Sequence, residues 1–176
     1  MTDSIKVKNC NLRLLKGDIT DFEIESFVYY ATEDLALGSG FGTAISVRGG
    51  PTIQKELNEL GKIKITEAVV SSAGEMKAKY IVHANGPKFQ EENLPEKLKQ
   101  TILNSFKKAE EKGIKAIAFP PMGAGFYGVP LDQSAEITLT TIKEYLAGET
   151  KLDDVVVCLN DNREYILFEK KFSSMK

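Results

Sequence analysis

One histidine, His83, and two cysteines, Cys10 and Cys158, are all that this chain offers a soft metal. A zinc centre needs about four such ligands brought together, so no metal is expected. The cysteines lie far apart in apolar surroundings, which argues against a disulfide scaffold and for a reducing compartment. No apolar run approaches the roughly 20 residues of a membrane helix. Residues 1–8 are polar and charged, without a signal-peptide core. A cytoplasmic chain without a membrane partner is therefore expected. An excess of one charge is also lacking: 23 Lys and Arg stand against 25 Asp and Glu, a net charge of −2. That balance disfavours a strong electrostatic hold on nucleic acid. It leaves open a small anionic ligand, because backbone amides bind phosphate without any net basic charge.

What is present fits a folded domain. The 176 residues can bury a real core, and 42% of them are hydrophobic. With no linker, low-complexity stretch or internal repeat, residues 1–176 read as one domain. Two periodicities alternate along it. Short strands are expected at 5–7 and 12–15, joined around Asn9 and Asn11. The run from Ser26 to Ala31 reads as a strand buried on both faces. Thr43 to Leu60 is expected to be helical, interrupted at Gly49, Gly50 and Pro51. Strands follow at 68–72 and 80–84, separated by a turn around Gly74.

The second half repeats the alternation. Asn93 is placed to cap a helix whose face is Leu98, Ile102, Phe106 and Ala109, with Gly113 at its end. Residues 116–120 form a strand, and Pro130 opens a helix with face Ala135, Leu139, Ile142 and Leu146. A β-branched strand at 155–159 leads to Asp161, which is expected to cap a last helix bearing Tyr165, Phe168 and Phe172. Strands alternating with helices imply an α/β domain, with helices on both faces of a mostly parallel sheet. Ligands of such sheets sit beyond the carboxyl ends of the strands.

Two glycine-rich loops each follow a strand and precede a helix. The first is Leu37-Gly38-Ser39-Gly40-Phe41-Gly42, and the second runs from Pro121 to Gly128 through Gly123, Ala124, Gly125, Phe126 and Tyr127. Glycine lets the backbone approach a ligand, and amides at a helix start carry partial positive charge. A lone loop of this kind is weak evidence, but two in one small domain suggest a clamp on a diphosphate. Neither is an ATP-binding G-x-x-x-x-G-K-S/T loop, so no lysine is placed to meet a γ-phosphate.

Three blocks in order resemble the macro-domain family. Leu15-Lys16-Gly17-Asp18-Ile19-Thr20 is similar to its G-D-I-T signature. The run Tyr80-Ile81-Val82-His83-Ala84-Asn85-Gly86-Pro87 is similar to its V-I-H-x-x-G-P strand. The segment from Ala116 to Pro130 is similar to its I-A-F-P-x-x-x-x-G-x-Y-G-x-P stretch. The resemblance implies a three-layer α/β/α sandwich with a mixed, mostly parallel sheet and a cleft for an ADP-ribose-like small molecule. It gives Asp18 and Ile19 to the adenine, with a turn-capping role as the alternative for Asp18. It gives Gly38, Ser39, Gly40 and Phe41, with residues 123–127, to the phosphates, and no cofactor beyond the ligand. A relative's aromatic residue stacking on adenine corresponds to Asn160 here.

The departures fall at the other end of that cleft. The family's N-A-A-N segment, whose last Asn holds the distal ribose, reads Tyr29-Tyr30-Ala31-Thr32. The acidic residue that hydrolytic members carry in the first loop corresponds to Gly42. Three functions stay open. One is a binding module for ADP-ribose, alone or on a modified protein. Another is a hydrolase of an ADP-ribose ester, 1″-phosphate or protein adduct, which Thr32 and Gly42 weaken. The third is an interaction domain whose pocket Tyr30 or Phe41 closes. Of the remaining polar residues, His83 reads as a sheet histidine and Glu33 and Asp34 as a solvated pair. One of Tyr29 and Tyr30 is expected to face the cleft and the other the core, because they point to opposite sides of a strand.

Overall fold

The computed structural model describes residues 2–38 and 40–176. Seven strands form one mixed sheet, in chain order β1 (Thr2–Val7), β2 (Cys10–Lys16), β3 (Ser26–Tyr30), β4 (Ala68–Ser72), β5 (Tyr80–Ala84), β6 (Ala116–Phe119) and β7 (Asp154–Leu159). In space they run β1-β2-β7-β6-β3-β5-β4. The inner pairs are all parallel, and the two antiparallel pairs, β1–β2 and β4–β5, lie at the edges.

Among the described residues the α-helices are α1 (Phe41–Gly49), α2 (Thr52–Leu60), α3 (Leu94–Glu111), α4 (Leu131–Leu146) and α5 (Asn162–Ser174). Alternation of side chains along each strand divides the core in two. On one face Val28, Val82, Val155 and Val157 meet Leu98, Ile102 and Phe106 of α3, Leu139 and Ile142 of α4, and Phe168 of α5. On the other, Phe27, Ile81 and Val156 meet Ile45 of α1 and Ile53 and Leu57 of α2. This is the expected three-layer α/β/α sandwich.

The local signals explain most boundaries. Gly50 and Pro51 separate α1 from α2, and Gly50 has a φ of +85°. Gly74, at φ +55°, is required for a second reason: a Cβ there would run into the carbonyl of Gly49. Asp161 caps α5 as expected, its Oδ1 accepting from the Glu164 amide at 2.9 Å. Asn93 sits at the start of α3 but is left-handed, at φ +56°, and its side chain makes no cap. Pro95 in the first turn needs no amide partner, which lowers the demand for one. The first hairpin turns at Lys8 and Asn9, one step earlier than the asparagine spacing suggested, since Val7 already pairs with Cys10.

His83 is fully buried within β5, its Nε2 2.8 Å from Ser71 Oγ. Burial pushes its pKa down to about 3, so the ring is neutral. It belongs to the sheet, as its strand position implied. No helix among the described residues is long and apolar enough to cross a membrane.

Candidate functional site

A cleft of about 550 Å³ opens at the carboxyl ends of four neighbouring parallel strands. Gly17 follows β2, Asn160 follows β7, Pro120 and Pro121 follow β6, and Tyr29 and Tyr30 end β3, and all of them line it. Its position is set by the topology, since β3 turns toward α1 on one face and β6 toward α4 on the other.

Each glycine loop contributes a row of backbone donors. Helix α1 follows Gly40, whose φ of +55° suits glycine, and among the described residues no side chain caps it. The amides of Phe41 and Gly42 find no acceptor among the described residues. In the second loop a 3₁₀ turn spans Gly125–Tyr127, and the amides of Gly125, Phe126 and Tyr127 are likewise without acceptors among the described residues. Gly123 at φ +79° and Gly125 at +74° hold this turn open. Uncapped amides at a helix start or in a 3₁₀ turn are the kind of donor that can meet an anion.

Of the residues expected to bind, Ile19, Thr32, Gly40 and Phe41 line the cleft, as do Gly123, Ala124, Gly125, Phe126, Tyr127 and Asn160. Gly38 and Asp18 do not, and Ser39 lies outside the described residues. Asp18 caps the turn after β2: its Oδ1 accepts from the Thr20 amide at 2.9 Å and the Thr20 hydroxyl at 2.6 Å. Its Oδ2 lies 3.3 Å from Arg48, and its chain neighbours Gly17 and Ile19 line the cleft. The capping alternative is therefore realised, and the second oxygen faces Arg48.

The far end is aromatic. Both tyrosines of β3 line the cleft, contrary to the expectation that only one would. Strand β3 ends at Tyr30, where Tyr29 and Tyr30 both meet the cavity although they belong to the cores of opposite faces. Tyr30 is buried and donates its hydroxyl to the Pro87 carbonyl, with its ring where a Cβ on Gly86 would lie. It packs on Tyr127 with ring centroids 4.8 Å apart. Tyr29 is half-buried, its ring edge-on to His83 at 5.9 Å. Neither Tyr30 nor Phe41 closes the cavity. Thr32 donates its hydroxyl to Asp34 Oδ1 at 2.7 Å, and that bond holds the Asp34 pKa below its ordinary value. Burial pushes the Tyr29 phenol up to about 12.

Some lining residues escaped sequence reasoning. Cys158, whose thiol donates to the Gly17 carbonyl at 3.3 Å, looked like one more core residue of β7. Glu164 accepts from the Asn160 amide at 2.7 Å and so fixes the loop after β7. The spacing of Asp161 and Glu164, which resembles a capping box, was the available signal for it.

The chain is thus an α/β/α sandwich with two glycine loops, each bearing unpaired amides, over a cleft at the carboxyl ends of its parallel strands. Comparison with known proteins gives the family. The macro-domain model matches residues 28–138. A macro domain-containing protein of Caldanaerobacter subterraneus is 35% identical, over 93% of this chain and 97% of its own. O-acetyl-ADP-ribose deacetylase 2 of Pantoea vagans is 33% identical, over 90% of this chain and 96% of its own. Among solved structures, the Oceanobacillus iheyensis macrodomain with ADP superposes with a TM-score of 0.94 at 25% identity, covering 99% of this chain and 96% of that one. The chain belongs to the macro-domain family.

Proposed function

We propose that the cleft binds ADP-ribose, or a close adenine nucleotide diphosphate, without efficiently removing ADP-ribose from proteins. The observation that carries this reading is that Phe41 and residues 125–127, whose amides have no acceptor among the described residues, line one cavity. The volume, about 550 Å³, is within the range of small-molecule sites. A macrodomain of the same fold has been solved with ADP. In this reading Ile19, Thr20 and Asn160 flank the base, with Asp18 Oδ2 accepting from its amino group. Gly40, Phe41 and Gly123 to Tyr127 hold the diphosphate. Thr32 meets the distal ribose, and an ADP-ribosylated protein is the partner such a cleft would serve.

The chemistry at the distal end favours binding over hydrolysis. Hydrolysis needs the sugar fixed and a water aimed at its anomeric carbon, and a misplacement of about 1 Å costs on the order of a hundredfold. Thr32 already gives its proton to Asp34, and Gly42 has no side chain. The Tyr29 phenol is too weak an acid to act as a base at neutral pH. Titration calorimetry with ADP-ribose, ADP and AMP tests the reading, with micromolar or weaker affinity expected for ADP-ribose. Absence of heat and of competition up to millimolar ligand overturns it. The deacetylase relative supports a second reading, hydrolysis of an ADP-ribose derivative. Release of label from a mono-ADP-ribosylated protein or from O-acetyl-ADP-ribose, at the rate of an active macro-domain hydrolase run in parallel, would establish it.

A further inference from the structure

We propose that Tyr29 determines specificity at the distal end of the cleft: its hydroxyl stands in the volume a side chain on residue 42 would fill, and from there it donates a hydrogen bond to the ligand's distal sugar. The inference rests on the ADP-ribose reading above.

A Cβ built on Gly42 would lie 2.6 Å from the Tyr29 hydroxyl oxygen, closer than any real packing allows. The next nearest atoms, the Leu37 Cα and carbonyl carbon, are 3.1 Å away. Tyr29 and Gly42 are therefore interlocked, since the phenol can reach this point only because residue 42 has no side chain. The family resemblance gives position 42 to an acidic residue in hydrolytic members. Here the polar group in that volume arrives from β3 instead of from α1, and it is a phenol.

Several observations show what this phenol can do. It lines the cavity beside Thr32 and Phe41. Its ring is held on one side by His83, its neighbour in the β3–β5 register. It has no hydrogen-bond partner among the described residues, unlike Tyr30, whose hydroxyl is already bound to Pro87. Burial, with a smaller contribution from Tyr127, keeps it protonated, so it donates. Thr32 complements it, because its proton goes to Asp34 and its oxygen is left to accept. One donor and one acceptor, both neutral, suit the oxygens and hydroxyls of a sugar.

The test is calorimetry on the full chain with ADP-ribose and ADP, using Tyr29→Phe, Gly42→Ala and the double variant. Tyr29→Phe is expected to raise the Kd of ADP-ribose by about threefold to tenfold more than that of ADP, the worth of one neutral hydrogen bond. Gly42→Ala should do the same by pushing the hydroxyl aside, and should add little in the Tyr29→Phe background. Equal losses for both ligands, or a Gly42→Ala loss that adds in full, overturns the inference. A wild-type chain that binds ADP and ADP-ribose equally overturns the inference alone. A wild-type chain that binds neither overturns the ADP-ribose reading and this inference with it.

Discussion

The two ends of the cleft are built by different means. At Ile19 and Asn160, carboxylates satisfy backbone amides: Asp18 holds the turn after β2, and Glu164 holds the loop after β7. Arg48 ties this end to α1 by facing both Asp18 and Asp21. At Tyr29 and Tyr30, rings fill the space that glycines leave, Tyr29 over Gly42 and Tyr30 over Gly86. The first kind of construction is local in sequence and tolerates change elsewhere. The second depends on residues more than ten positions apart and changes only as a set. A cleft built this way can keep its grip on a nucleotide while the distal chemistry is replaced.

The phosphate loops between the two ends should show the largest effect, because both ends depend on them. Gly125→Val forces a β-branched residue to φ +74°, at a cost of about 1–3 kcal/mol, although nothing lies within 4 Å of the new Cβ. We expect a folded chain by circular dichroism and loss of both ADP and ADP-ribose binding by calorimetry. Unchanged affinity would reduce the second loop to a turn.

The next effect belongs to the aromatic end. Thr32→Asn with Gly42→Asp, the pair that most directly restores the family's usual residues, should lose about 1–3 kcal/mol of stability through overpacking against Tyr29 and Leu37. Adding Tyr29→Asn should recover part of that loss in thermal unfolding. If the triple variant melts no higher than the double, Tyr29 is not the obstacle and the contrast between the two ends is weakened.

Asp18→Ala probes the other end. Loss of the cap should cost about 0.5–2 kcal/mol of stability. It should also weaken adenine ligands more than their inosine counterparts, which lack the amino donor. Equal weakening would confine Asp18 to its turn. The smallest effect is expected from pH. Burial pushes Tyr29 up to about 12 and Cys158 up to about 12, so both keep their protons through the neutral range. Asp34 is held on the ionised side by Thr32. Affinity for ADP-ribose should stay level from about pH 7 to pH 10, whereas a free phenol would be about half ionised at pH 10. A step in that interval would show that the Tyr29 end is more open to water than its burial indicates.

Much of this was legible in the amino-acid order. Strand and helix periods, the glycine loops and the G-D-I-T block place the sheet, the layers and most of the cleft lining, because each is a local pattern. The departures at Thr32 and Gly42 were legible as departures. What replaced them was not, since Tyr29 and Gly42 come together only when α1 packs beside β3, and nothing in either local stretch records that approach. Strand alternation likewise gave only one of Tyr29 and Tyr30 to the cleft, whereas both line it. Asp18 showed the opposite limit: one residue type serves both cap and ligand contact, and only the geometry divides its two oxygens between them.

The Tyr29–Gly42 interlock also constrains descent. A lineage that begins with a small residue at 29 and an acid at 42 can gain the tyrosine first only with its hydroxyl turned away, because the acid's Cβ occupies that place. The easier route passes through a chain with glycine at 42 and no polar group in that volume, an intermediate without the older side chain and not yet furnished with the newer one. The order of the two steps is thereby biased, and reversal from the position 42 side carries a cost for as long as the tyrosine remains. Members of the family carrying tyrosine at the first place should accordingly favour glycine at the second, and an exception would have to show the phenol turned aside.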